Sequence, residues 1–334
     1  MSVPVLALAG FLGAGKTTLL NHLLRNSRGV RIGALVNDFG AVNIDAMFVA
    51  GQVDAMASLS NGCICCATDS TEAAEMLGRL AGVRPALDLI VVEASGIAEP
   101  PVLARTIAAA GDHRFHYAGL VLVVDAARPA ELGHGVRVAD LVVLNKVGEA
   151  VDADGIAARV RAENPQVPLV YTDFARVDPA LLIDPPVGRR ERPAQLSLEE
   201  LLHEDHHHEH PEYQSVEFST DAPVNPRRLM AFLHDRPVGL YRAKGFVDFG
   251  SGGRYSVQLV GSSLRFEKRG ASGRGTMLVL IGTDIDESAS LAALQDCTRE
   301  PADENAMLAV HKYVVPASTW CLRPAADGDD PAGS

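Results

Sequence analysis

The chain has 334 residues, of which 47% are apolar and 22% charged, and a formal charge of −12. That length suffices for two domains with cores of their own. The acidic balance and 5% aromatic content argue against a surface built to hold a phosphate backbone or to stack bases, so no nucleic-acid partner is expected. No run of about 18 apolar residues occurs and no charged n-region precedes the first strand. The expectation is a cytoplasmic protein with no membrane partner, whose five cysteines are thiols rather than a disulfide framework.

Val3–Ala9 is a short apolar run that reads as a buried strand, and Lys16–Arg25 has a helical pattern. Between them lies Gly10-Phe11-Leu12-Gly13-Ala14-Gly15-Lys16-Thr17-Thr18, a Walker A pattern in its expected strand-to-helix setting. Gly10, Gly13, Ala14, Gly15 and Thr18 are expected to wrap their backbone around an anion, assisted by the positive end of the helix. Lys16 is expected to reach the β- and γ-phosphates as a catalytic cation, and the Thr17 hydroxyl to sit on Mg²⁺. The next strand, Ile32–Val36, runs into Asn37-Asp38-Phe39-Gly40, where nucleotide-sensing switch loops lie, and Asp38 there is a candidate Mg²⁺ contact.

Asn61-Gly62-Cys63-Ile64-Cys65-Cys66 follows. Three thiols within four residues form a compact soft-ligand set, and Cys63, Cys65 and Cys66 are expected to hold a transition metal. The spacing is not that of a zinc finger, and an incomplete ligand set suits reversible metal handling. After a helical pattern at Thr71–Ala81, the strand Leu87–Glu93 ends in Glu93-Ala94-Ser95-Gly96. A carboxylate at a strand's end falls on the edge of the sheet where α/β proteins bind ligands. Glu93 is therefore read as a catalytic acid that either holds Mg²⁺ or orients the attacking water, and the Gly96 amide as a γ-phosphate contact.

A helix at Val102–Ala110 and strands at Gly119–Val124 and Leu141–Leu144 lead to Asn145-Lys146-Val147-Gly148. Asn145 and Lys146 are candidate nucleotide contacts, matching Asn-Lys-x-Asp, the guanine-reading sequence. The aspartate that would accept the two guanine donors is replaced by Gly148, so base preference stays open between GTP and ATP. Glu149 is the nearest replacement, ahead of Asp152 and Asp154. A helix at Ala153–Arg161 and a strand at Pro168–Tyr171 complete an alternation of apolar strands and helices. That alternation means a mainly parallel sheet covered on both faces: an α/β P-loop NTPase domain over residues 1–183.

Residues 184–212 form a polar linker that includes His206, His207 and His208, a weak auxiliary site for divalent ions. Residues 213–322 read as a smaller α+β domain, with strands at Ser215–Ser219, Leu240–Phe249, Tyr255–Val260 and Thr276–Ile281 and helices at Pro226–His234 and Ser288–Gln295. Residues 323–334 read as a disordered tail. Cys297 and Cys321 stand alone and read as buried thiols.

Gly10 to Asn21, Gly62-Cys63-Ile64-Cys65-Cys66 and Glu93-Ala94-Ser95-Gly96-Ile97-Ala98-Glu99-Pro100 together resemble the CobW-type metallochaperone GTPases. Pro237-Val238-Gly239-Leu240-Tyr241-Arg242-Ala243-Lys244-Gly245-Phe246 resembles that family's C-terminal domain. The resemblance implies a GTPase using GTP/GDP and Mg²⁺ that delivers a divalent metal to a client protein or cofactor pathway. Zn²⁺ is the first expectation and Co²⁺ the second. The metal is implied to sit on Cys63, Cys65 and Cys66 and to leave on hydrolysis. The chain is expected to act as a monomer or as a homodimer that depends on nucleotide or metal. The sequence departs from the family at Gly148 and at Ala41, where an acid is common. The alternative function is a metal sensor or storage protein with regulatory nucleotide binding and little turnover.

Overall fold

A computed structural model describes residues 2–27, 29–36, 55–58, 70–96, 99–110, 112–128, 132, 135–183, 213–261, 263–269, 275–283 and 285–315. The N-terminal domain contains β1 (Val3–Ala9), α1 (Lys16–Asn26), β2 (Ile32–Val36), β3 (Ala55–Ser58), α2 (Ser70–Ala81), β4 (Leu89–Glu93), α3 (Pro100–Ala109), β5 (Phe115–Asp125), α4 (Gly135–Val138), β6 (Leu141–Asn145), α5 (Ala153–Glu163), β7 (Leu169–Thr172) and α6 (Pro179–Leu182). The strands form one seven-stranded sheet in the order β3-β2-β4-β1-β5-β6-β7, and every pairing in it is parallel. β2, β4 and β6 are buried at every position, as a sheet covered on both faces requires.

One face is covered by α2, α3, α4 and α5 through Leu77, Leu103, Val136 and Val160. The other face is covered by α1 and α6 through Leu20, Leu23 and Leu181. β5 begins at Phe115, four residues before the apolar run that marks it in the sequence. Its first residues are half-buried after Phe115 and pair with Val3–Val5 ahead of a register shift between Val5 and Leu6. β3 is a further strand that its short, weakly apolar sequence did not announce.

The C-terminal domain contains β8 (Tyr213–Thr220), α7 (Pro226–His234), β9 (Leu240–Asp248), β10 (Arg254–Val260), β11 (Ser263–Lys268), β12 (Thr276–Thr283), α8 (Glu287–Asp296), α9 (Leu308–His311) and β13 (Val314–Val315). Its sheet runs β13-β11-β10-β9-β12-β8, antiparallel except where β13 joins β11. β11 is absent from the sequence reading because only Phe266 among its residues is fully buried. Asn225 caps α7, accepting from the Arg227 and Arg228 amides, and Pro226 occupies the first helical position.

The two domains share a core. Tyr241 and Ile281, from the C-terminal sheet, pack into the same cluster as the α1 face of the parallel sheet. Thr283 Oγ1 donates to Leu169 O at 3.2 Å. Buried Asp140 accepts from Tyr117 Oη at 3.0 Å and from the Leu120 amide at 2.8 Å. The Gly261 turn lies so close to Asp140 that a Cβ on it would stand 2.0 Å from Asp140 Cβ. Arg236 donates to Gly261 O and secures that turn. Burial first, and the Asp140 carboxylate second, push the Tyr117 and Tyr241 hydroxyls above the usual phenol range.

Among the described residues no helix is long and apolar enough to cross a membrane. The linker, residues 184–212, and the tail, residues 323–334, lie outside the described residues.

Candidate functional site

β1 ends between β4 and β5, so the loop after it opens at the C-terminal edge of the sheet, where α/β folds take ligands. Gly10, Gly13 and Gly15 have φ of 144°, 76° and 112°. Gly10 and Gly15 must each be glycine twice over: both have positive φ, and a Cβ would stand 2.2 Å from Val123 O at Gly10 and 2.3 Å from Asn145 Nδ2 at Gly15. As the residue preceding α1, Gly15 supplies no side-chain cap, and the first turn carries no acid. A helix end with neither a side-chain cap nor an acid of its own is the arrangement that suits an anion. Thr18 is exposed in that first turn.

Lys16 is buried, with Nζ donating to Gly10 O at 2.9 Å and to Phe11 O at 3.1 Å. Burial lowers its pKa, and the nearby Glu93 charge works in the opposite direction. Thr17 Oγ1 donates to Glu93 Oε1 at 2.5 Å. Glu93, the last residue of β4, is itself buried. Gly96 rests on the loop, where a Cβ would stand 2.8 Å from Leu12 Cα. The residues predicted for the phosphate end, separated by about 80 positions in sequence, are thus brought together.

The predicted base contacts behave differently. Asn145 is buried, and its side chain bonds within the protein: Nδ2 donates to Ala14 O at 2.9 Å, and Oδ1 accepts from the Ala175 amide at 2.8 Å. It ties the phosphate loop to the turn after β7. Lys146 Nζ pairs with Asp125 Oδ2 at 2.5 Å. Burial raises the pKa of the Asp125 carboxyl. The Lys146 ammonium and the Arg128 and Ala127 amides outweigh this and leave it lowered. Glu149, the sequence-based replacement for the missing aspartate, is exposed on a single 3₁₀ turn, Val147–Glu149. Asp152 is occupied as the cap of α5, accepting from the Gly155 amide at 2.8 Å.

The carboxylate beside Gly148 is Asp173, whose Oδ1 and Oδ2 accept from the Gly148 amide at 3.0 and 3.3 Å. Sequence reasoning passed over Asp173. The available signal was its position: it directly follows β7, so it lies on the same edge of a parallel sheet as Asn145 and next to it.

Asp38, Cys63, Cys65, Cys66, His206, His207 and His208 lie outside the described residues. The strands that lead to the first four are described. Ser58 pairs with Val36, Val36 with Glu93 and Glu93 with Leu8, so these residues form one row across the C-terminal edge. Among the described residues no cluster of three metal-ligating side chains occurs. Cys297 is buried, and burial pushes its thiol up to about 11, as befits an inert core cysteine.

The profile of the CobW/HypB/UreG nucleotide-binding domain matches residues 4–170, and that of the cobalamin synthesis protein cobW C-terminal domain matches residues 213–298. The chain belongs to the CobW/HypB/UreG family. Membership makes it a nucleotide-binding P-loop protein in a family of nucleoside triphosphate hydrolases. Among its CobW relatives, a protein of a Sinorhizobium species named "Zinc chaperone CobW" is 30% identical over 344 aligned positions, covering 87% of this chain and 96% of that protein. The Escherichia coli protein named "Zinc chaperone YjiA" is 30% identical over 194 positions, 54% of this chain and 61% of that one. The crystal structure of the Zn(II)-bound Escherichia coli YjiA GTPase aligns over 89% of this chain and 99% of that one, at 22% identity and a TM-score of 0.40.

Proposed function

We propose that this CobW-family chain is a GTPase that couples Mg²⁺-GTP hydrolysis to delivery of zinc from Cys63, Cys65 and Cys66 to a client protein. The observation that carries the nucleotide half is the contact between Thr17 and Glu93 beside Lys16. Two hard oxygens 2.5 Å apart, one of them a carboxylate, suit Mg²⁺ and would suit a soft ion poorly. When bound, Mg²⁺ supplies positive charge against the β- and γ-phosphate oxygens. Glu93, engaged with Thr17, is assigned to holding that metal position rather than to orienting water. Lys16 moves its ammonium from the Gly10 and Phe11 carbonyls to the phosphates. Gly96 lies against Leu12 and offers its amide on the γ-phosphate side.

The chain path supports the zinc half. Cys63 is five residues beyond Ser58, a span of at most about 18 Å of extended chain. Ser58 lies two strands from Glu93, about 10 Å at normal strand spacing. A segment tethered that closely to the γ-phosphate side can be ordered by a triphosphate and released by its hydrolysis. The names of the relatives supply the metal, zinc, and the general role, chaperone. The proposed domain limits are 1–183 and 213–322, joined by the linker that carries His206, His207 and His208.

The test is a zinc titration of the wild type and of Cys65→Ala, each with GDP and with a non-hydrolysable GTP analogue. Coupling predicts different zinc affinities in the two nucleotide states and, by linkage, an equal effect of zinc on nucleotide affinity. The same zinc affinity in both states would sink the delivery reading. Unchanged zinc stoichiometry in Cys65→Ala would sink the thiol site.

A further inference from the structure

The Asn-Lys-x-Asp position ends in Gly148, yet a carboxylate stands there: Asp173, from the neighbouring strand's exit. We propose that Asp173 reads the base, its carboxylate held against the Gly148 amide and accepting the N1–H and N2–H₂ donors of guanine. The assignment rests on the nucleotide reading above and supplies the specificity residue that Gly148 removes.

Three observations carry it. The first is close approach. A Cβ on residue 148 would stand 3.1 Å from Asp173 Oδ2, a tight contact that glycine relieves, so the carboxylate can lie directly on the Gly148 amide. The second is that the carboxylate is positioned but uncommitted. Its only side-chain partner among the described residues is the Gly148 amide, and no ion pair involving it occurs there, whereas two carboxylate oxygens can accept about four hydrogen bonds. Its backbone is anchored, because the Asp173 carbonyl accepts from Thr172 Oγ1 at 3.2 Å and from the Arg176 amide at 3.3 Å.

The third is strain. Among the described residues the non-glycine positions with positive φ are Lys146, Phe174 and Ala175, at 62°, 56° and 53°. All three lie at the exits of β6 and β7, around Asp173. Such conformations cost roughly 1–3 kcal/mol each and gather where a site must be shaped. Phe174, next to Asp173 in the chain, is 70% exposed, with the Arg176 guanidinium 5.5 Å from the centre of its ring.

The geometry gives a selection rule. Asn145 fastens the Asp173 turn to the phosphate loop through Ala14 and Ala175, so the carboxylate lies at a set distance from any bound phosphates. Guanine presents two donors to a carboxylate; adenine presents a lone pair at N1 and no amino group at C2. A site built to accept from N–H groups rejects the base that lacks them.

The experiment measures the affinities of GTP, ATP and XTP for the wild type, Asp173→Asn, Glu149→Gln and the double variant Gly148→Asp/Asp173→Ala. The wild type is expected to prefer GTP to ATP. Asp173→Asn keeps an acceptor for the Gly148 amide, so it preserves the turn. It should lose GTP affinity about 10- to 100-fold, the range for a hydrogen bond to a charged group. It should gain XTP, because an amide N–H can donate to the C2 carbonyl of xanthine, and leave ATP unchanged. The double variant returns the carboxylate to position 148 and should restore GTP preference.

An unaltered GTP:XTP ratio in Asp173→Asn, with wild type binding GTP, overturns the base assignment alone. Loss of GTP preference in Glu149→Gln but not in Asp173→Asn does the same. Wild type that binds no triphosphate overturns the nucleotide reading together with the base assignment.

Discussion

The phosphate end and the base end of the crevice are built in opposite ways. At the phosphate end one continuous segment, Gly10 to Thr18, supplies nearly everything, and only Glu93 and Gly96 come from elsewhere. At the base end nothing is continuous. Asn145 has turned inward as a strut, Lys146 is paired with Asp125, and the carboxylate arrives from β7. Cradling a chain of phosphates needs consecutive backbone amides, which a single segment delivers. Reading a base needs one or two side-chain atoms at a given point, and any strand ending there can supply them.

That contrast can be broken at each end. The largest effect is expected at the phosphate end: Lys16→Ala should lower kcat roughly 10²–10³-fold, the loss typical of removing one stabilising donor. It should do so for GTP and for ATP alike, as a steady-state phosphate-release assay would show. Next comes the shared core behind both ends. Tyr241→Ala would open a cavity between the domains and should cost about 3–5 kcal/mol in urea denaturation of the intact chain, with the preference among bases unchanged.

Asn145→Ala tests whether the two ends are held as one unit. It removes both struts, to Ala14 and to Ala175, and should weaken GTP and GDP together by about 10-fold in a binding titration. An effect on base preference alone would show that Asn145 contacts the base directly.

The smallest effect lies away from both ends. His116 shares a hydrogen bond with Ser2 Oγ at 3.0 Å, and its pKa is pushed down to about 3, by burial and then by the Arg265 guanidinium. The unfolded chain binds that proton more readily. Stability is therefore complete above 6.5 and falls as pH drops from there toward 3. His116→Asn should flatten the slope of melting temperature against pH in that window and leave nucleotide preference untouched.

The legibility of the molecule follows the same division. Apart from β3 the parallel sheet was plain, because strands such as β2, β4 and β6 are short, apolar and buried at every position. β11 was not, because a strand at the C-terminal sheet's open side shows one buried residue, Phe266, among polar ones. Lys16, Thr17 and Glu93 were singled out from local pattern, and the structure sets Thr17 against Glu93 with Lys16 near enough to feel the Glu93 charge. Asp173 was not legible, because its significance lies in a neighbour 25 positions away. The C-terminal domain reads as a separate unit in sequence, yet Tyr241 and Ile281 complete the core beneath α1.

The sequence by itself pointed to a triphosphate-binding P-loop and to the family, since both are written in short contiguous motifs whose backbone chemistry acts locally. Only the tertiary structure decided which carboxylate faces Gly148, that Asn145 is a strut, and that the two domains share one core. Those depend on which strands lie side by side, and pairing across a sheet joins residues that no local pattern connects.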